Sequence, residues 1–330
     1  VDDVTLFANH KLIVGGALGI AALAYPDLGE DWINYAMTKI DKVIFTEETS
    51  PTSLTGFAEG PHYFKYSMEH LAMLFMGLRS YIGDQTFAYT DPCGGDDNAS
   101  VRSPFFDPRY DRLYQWISSI RLPDGTVPTL DDGFRHEGFC FTAPFVDRDP
   151  SYYWNTTGGG SRIFVNVMMC AAGADTAGPM PAGVTSLPEA GNLIFRSGDD
   201  RQIYFHFLAE HGIANTNIHD QSDACSFILQ AFGEDLAMDP GYIHYDERNQ
   251  VNGVTAHNTI LVNGGGPTAG SPEDSWIDKT YEIPGVYYGE ASTYYSSSDI
   301  HRRAFLVDNK FVVITDECSS SSSRTFTYQC

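Results

Sequence analysis

Along the first 120 residues the apolar positions recur at helical spacing. Residues 11–25 (KLIVGGALGIAALAY) are apolar nearly all round, the pattern of a helix buried on most sides. Trp32, Ile33, Ala36, Met37, Ile40 and Val43 follow a period close to 3.6 over 30–44. Over 66–82 the stripe is Met68, Leu71, Ala72, Phe75 and Leu78, and over 108–120 it is Leu113, Trp116, Ile117 and Ile120. Pro and Gly clusters at 51–61, 91–96 and 123–133 separate these runs. Helix after helix with short connectors predicts an (α/α) toroid or helical array. No sequence repeat supports a solenoid.

From about residue 190 the pattern changes. Short β-branched and aromatic runs replace the long periods, at 192–196, 202–208, 225–232, 258–262, 303–307 and 310–315. Turn signals lie between them: 197–200 (SGDD), Gly233-Glu234, Asn263-Gly264 and Asp308-Asn309. Many short strands without intervening helices predict an antiparallel β-sandwich. The expected organisation is therefore an α+β multidomain chain. An incomplete toroid occupies residues 1–145, a Gly- and Pro-rich junction 146–190, and the sandwich 191–330. The chain opens almost directly into an apolar helix and closes on a strand-like segment, 325–330, which reads as a fragment cut at both ends, with the sandwich truncated.

Composition narrows the class. With 330 residues and 42% hydrophobic positions, the chain can bury a large core. A net charge of −23, with six Lys, argues against nucleic-acid binding, which needs a basic face. The acidic surplus fits solubility in a salty medium or export. No run of 18 apolar residues reads as a membrane span. The six Cys contain no Cys-x-x-Cys pair, so a zinc knuckle is not expected. Cys225, inside an apolar run, reads as a buried free thiol.

Four polar segments break the apolar pattern. Asn9-His10 opens the first helix. Glu59-Gly60-Pro61-His62-Tyr63 precedes the third helical run, with Tyr66 just beyond. The string 219–227 (HDQSDACSF) leads into a strand, and on a strand His219, Gln221 and Asp223 would share one face. Asp239-Pro240-Gly241-Tyr242 is followed by Ala256-His257-Asn258-Thr259. Taken singly, each has an ordinary structural reading: a helix cap, a packed tyrosine, a tight turn, a histidine tying down the sandwich. Asp131 and Asp132 form a further acidic pair, and a glycosidase would need two such groups about 5–10 Å apart.

Together, in this order, the segments resemble the heparinase II/III-like polysaccharide lyases, over roughly residues 5–315. The sandwich pattern of that family, His-x-His-x-Asp-x-x-Ser-Phe, then Asp-Pro-Gly, then Ala-His-Asn-Thr, reads here as His219-x-Gln221-x-Asp223-x-x-Ser226-Phe227, Asp239-Pro240-Gly241 and Ala256-His257-Asn258-Thr259. The family's Asn-His pair and its catalytic Tyr correspond to Asn9-His10 and Tyr63, with His10 and Tyr63 53 positions apart (63 − 10).

The resemblance implies a toroid joined to a sandwich with the active site between them. It implies β-elimination on a uronate polysaccharide, with Asn9, His10, Tyr63 and His219 catalytic. Glu59, His62, Tyr66 and Arg248 are candidates for substrate binding. In relatives, the second His of His-x-His, the Asp of Asp-Pro-Gly and the His of Ala-His-Asn-Thr bind zinc. Here the corresponding residues are Gln221, Asp239 and His257, so a structural zinc or other divalent ion is expected to be weakened or lost, and no cofactor is needed for catalysis. An anionic polysaccharide is the expected partner, and a secreted or periplasmic protein the expected setting. A uronyl C5-epimerase and an inactive glycan-binding relative share the same outline.

Overall fold

The computed structural model describes residues 8–47, 56–90, 100–135, 140–141, 154–155, 180–211, 219–267 and 274–330. Among the described residues, the first part has four α-helices: α1 (Ala8–Ala24), α2 (Pro26–Lys42), α3 (Gly60–Gly77) and α4 (Arg109–Ile120). Each covers one of the four periodic runs. The expected boundary that moves furthest is that of α3. Pro61, in the first turn, has no N–H to lose there, so the helix starts six residues before 66 and takes in Tyr63. Single π-type turns, Val43–Glu47 and Leu78–Ile82, extend α2 and α3.

Helix α1 packs against both α2 and α3. A Cβ on Gly19 would lie 2.5 Å from Leu74 Cδ2, so a bare α-carbon is required where α1 crosses α3. This explains why so apolar a helix spends glycines in its interior, where they weaken helix propensity. The described helices form an array, and a closed toroid is not among them. None of them is long and apolar enough to cross a membrane.

Strands β1 (Thr86–Ala88) and β2 (Ser100–Arg102) pair beside the helices, and β3 (Cys140–Phe141) pairs with β4 (Trp154–Asn155). The second part is antiparallel throughout its described strands. One sheet has the order β5 (Gly183–Leu187), β6 (Asn192–Arg196), β7 (Tyr204–Leu208), β8 (Ser226–Ala231), β9 (Glu234–Ala237). Strand β10 (Ile260–Val262) belongs to a separate pair, with β15 (Phe326–Tyr328). The other large sheet is β11 (Ser275–Ile283), β12 (Val286–Tyr295), β13 (Ser298–Val307), β14 (Phe311–Ser320). Strands β11 and β12 had no counterpart among the expected runs.

The two large sheets face each other across Leu193, Phe195, Phe205, Phe207 and Phe227 on one side and Ala291, Ala304 and Leu306 on the other. Every residue of β6 and β7 is buried, on both faces. The second face packs on the helical half, where Ile194 and Tyr204 join the core of Phe64, Trp116 and Ile120. Tyr204 donates its hydroxyl hydrogen to the Ile120 carbonyl (2.6 Å), and Arg196 Nη2 donates to the Arg121 carbonyl (3.0 Å). The arrangement is therefore three-layered, helices on sheet on sheet, with polar groups of β6 and β7 closing the end of α4.

Two expectations need correction. The segment 219–225 is not a strand; it is irregular chain, and β8 starts only at Ser226. Period-2 alternation therefore does not set the directions of His219, Gln221 and Asp223. Within 146–190, residues 146–153 and 156–179 lie outside the described residues, and β5 in the remainder is already part of the sheet. Cys225 is a buried free thiol, and burial pushes its pKa up to about 12.

Candidate active site

The first turn of α3 sets the site. Phe64, Met68, Leu71 and Phe75 bury one face of the helix. That anchors the opposite side, where His62, Tyr63 and Tyr66 stay partly accessible. The Tyr63 ring stacks on the imidazole of His219, with centroids 3.6 Å apart and planes 23° from parallel. The helical half and the chain leading into β8 thus meet ring on ring.

His219 is held from behind. Its Nδ1 donates to Asp132 Oδ2 at 2.8 Å. A carboxylate can only accept, so in the neutral ring the proton sits on Nδ1 and the lone pair on Nε2. Arg248 Nε donates to the other oxygen of the same carboxylate at 3.0 Å. Glu59 Oε1 lies 3.8 Å from His219 Nε2. Asn9 clamps Glu59 in turn: its backbone N–H donates to Oε2 (3.0 Å), and its Nδ2 contacts both carboxylate oxygens at 3.1 Å. Asn9, Glu59, Tyr63 and His219 are therefore contiguous.

Burial and charge tune the two rings in opposite senses. Burial raises the Tyr63 phenol well above its ordinary value, and Asp132, Tyr242 and Glu59 add to this, opposed by Arg248. Tyr63 is a protonated phenol near neutrality. Burial lowers the pKa of His219, and Asp132 only partly offsets it. His219 is a neutral imidazole there. The pair consists of one group able to give a proton and one able to take it.

The expected residues fare unequally. Asn9 is buried and joins the cluster, but its amide is committed to Glu59, so Glu59 is a buried neighbour of Asn9 rather than an open substrate contact. His10 projects to the exposed side of α1, because consecutive helical residues face about 100° apart. His62 and Tyr66 flank Tyr63 edge-on, at 5.0 Å and 6.3 Å between centroids. Asp132 is engaged by His219 and Arg248, not placed as half of a glycosidase pair. Phe134 and Tyr242 were missed. Phe134 lies edge-on to both His62 (4.9 Å) and Tyr242 (5.3 Å), extending an aromatic wall. The Asp239-Pro240-Gly241-Tyr242 segment itself was noticed. Its signal was the glycine, since a Cβ on Gly241 would sit 2.3 Å from the Gly133 carbonyl oxygen. Only a glycine lets this strap lie on the 129–133 loop, where Tyr242 N–H donates to Gly133 O at 2.7 Å.

Comparison with known proteins gives one family. Residues 179–330 match the model described as Heparinase II/III-like, C-terminal. The chain carries a heparinase II/III-like C-terminal domain. No curated protein matches the chain. The heparinase II/III-like domain contributes His219, Tyr242 and Arg248 to the site. Asn9, Glu59, Tyr63 and Asp132 come from the helical half, outside the matched residues.

Two of the residues expected to hold a metal in the heparinase II/III-like domain, Asp239 and His257, lie together. Gln221 donates through Nε2 to the Asp131 carbonyl at 2.6 Å. Asp223 joins Asp239 and His257: one ligand atom from each of the three lies within 4.8 Å of the others. Asp239 Oδ2 accepts from His257 Nδ1 (2.9 Å), while His257 Nε2 and Asp223 Oδ2 are buried with no hydrogen-bond partner. Burial pushes the Asp223 carboxyl up to about 7, with His257 opposing and Asp239 adding to the rise. Two carboxylates and an imidazole with orphaned buried atoms fit a divalent cation such as zinc.

Proposed function

We propose that this protein cleaves a uronate-containing polysaccharide by β-elimination. The observation that carries the reading is the Tyr63–His219 stack, with His219 Nδ1 tied to Asp132. It supplies a neutral base and a protonated acid side by side, as a sugar laid against them requires. In this scheme His219 Nε2 takes the C5 proton, the C4–O4 bond breaks, and O4 leaves with the Tyr63 phenol proton. The electron pair from C5–H becomes the C4=C5 double bond, conjugated with the carboxylate. Stabilising the charge that develops on that carboxylate needs donors aimed at it. Arg248 fits this role, since its guanidinium is a cation rich in N–H donors held beside His219 by Asp132. Asn9 serves through Glu59 in the resting site and turns to the substrate only if Glu59 gives way.

Stacked groups act from one side of the ring, which suits elimination better than epimerisation, where proton donor and acceptor face each other across C5. Asp223, Asp239 and His257 are the residues that would hold a divalent ion, whose contribution is to pin the Tyr242 strap; no catalytic step needs it. A secreted or periplasmic setting goes with a polysaccharide substrate. The test is a panel of uronate polymers incubated with the full-length protein. Ultraviolet absorbance of an unsaturated uronate supports the reading. Exchange of the C5 hydrogen with solvent, without absorbance, turns it to an epimerase; binding without either makes the protein a glycan-binding relative.

A further inference from the structure

Behind the site lies a second cluster that the chemistry above does not use. Carboxylate oxygens of Asp131, Glu210 and Asp220 lie within 4.8 Å of one another. Asp131 and Asp220 are 2% and 1% exposed. Asp131 Oδ1, Glu210 Oε2 and Asp220 Oδ2 are each sealed from water and accept no hydrogen bond. Gln221 is wedged between two of them. Its backbone N–H donates to Asp220 Oδ1 (2.8 Å) and its Nε2 to the Asp131 carbonyl (2.6 Å), while its own Oε1, in a side chain with no exposure, has no donor.

Charge makes the arrangement costly as it stands. The charges acting most strongly on Asp131 are Glu210, Asp220, Asp223 and Asp132, and those on Glu210 are Asp220, Asp223 and Asp239, all carboxylates. Arg248 acts in the opposite sense on Asp220. Burial together with this repulsion holds all three carboxyls well above their ordinary range. An ionised carboxylate without a partner is among the most expensive groups to bury.

We propose that Asp131, Glu210 and Asp220 bind a hard divalent cation of the calcium class, distinct from any ion at Asp223, Asp239 and His257. All the available donors are oxygen, the preference of calcium, magnesium and manganese. Calcium–oxygen bonds of about 2.4 Å let oxygens up to about 4.8 Å apart share one ion. The position gives the ion a task. Asp131 precedes Asp132, and Asp220 follows His219, so a cation joining them braces the Asp132–His219 hydrogen bond from its far side. Glu210 ties the same point to the end of β7. The ion acts through positioning and touches no reacting atom.

Full-length protein stripped with a chelator and titrated with calcium chloride by calorimetry tests this directly, with no need for activity. Magnesium and manganese chlorides are titrated in parallel. One equivalent is expected to bind in wild type and in Asp239→Asn. In Asp220→Asn, and in the milder Glu210→Gln at the half-buried edge of the cluster, affinity is expected to fall at least tenfold. Circular dichroism establishes that each variant is folded, and Glu210→Gln decides if Asp220→Asn is not. Binding also raises the Tm of wild type but not of the cluster variants. Wild type that takes up none of the three cations overturns the proposal. So does a folded Glu210→Gln that binds as tightly as wild type, or loss of all binding in Asp239→Asn.

Discussion

Asp131 and Asp132 are consecutive and equally buried, at 2% exposure each, yet they face opposite electrostatic worlds. Asp132 accepts from His219 and from Arg248. Asp131 turns the other way, towards Glu210 and Asp220, and its Oδ1 accepts nothing. A buried carboxylate is tolerable in the first setting because two donors replace water. In the second it needs a proton or a cation. One loop thus serves both a proton-transfer site and, on our reading, an ion site that steadies it.

The largest expected effect lies on the Asp132 side. Tyr63→Phe keeps the ring that stacks on His219 and removes only the acid. Its kcat should fall by about 10²–10⁴-fold while thermal unfolding stays unchanged. Steady-state ultraviolet assays beside a melting curve check both halves of that statement, and unchanged kcat would remove Tyr63 from the mechanism.

Next come the two aspartates themselves. Asp132→Asn leaves Arg248 and His219 without their shared anion, and unfolding stability should drop by about 3 kcal/mol. In chelated protein Asp131→Asn should do the reverse, raising stability by about 1 kcal/mol as repulsion is relieved. Urea denaturation of the two variants beside wild type reads this contrast, and equal destabilisation would erase it.

The pH profile sharpens the pairing of acid and base. The base must be unprotonated, so kcat/KM falls as pH drops through the His219 pKa, which burial holds below the free-imidazole value of 6.5. Asp132 acts to raise that pKa, so the acid limb of Asp132→Asn moves to still lower pH. The acid must keep its proton, and with Tyr63 raised above 10.0 the alkaline limb assigned to it should begin only beyond that value. An acid limb that disappears in Tyr63→Phe, with the alkaline limb left to His219, would reverse the roles assigned to the two rings.

The smallest effect is expected from His62→Ala. His62 lies edge-on to Tyr63 and Phe134. Removing this part of the aromatic wall should raise KM by about three-fold with kcat nearly constant, the signature of lost uniform binding. A fall in kcat instead would bring His62 into the chemistry.

Local periodicity alone identified helices α1 to α4, several of the strands and the change from helical to sheet character near residue 190. The 3.6 and 2.0 periods arise from each segment's own backbone geometry and are written in adjacent residues. Motif order pointed to Asn9, Tyr63 and His219, and to the family of the C-terminal domain. Packing between segments decided the rest. That Glu59 is held by Asn9, that Gln221 binds the Asp131 carbonyl, and that Asp223 joins Asp239 and His257 depend on contacts between residues as many as 90 positions apart. Asp131 and Asp132 look alike in one dimension. Only the three-dimensional arrangement of charges tells them apart, because Coulomb forces and desolvation act through space and ignore the order of the chain.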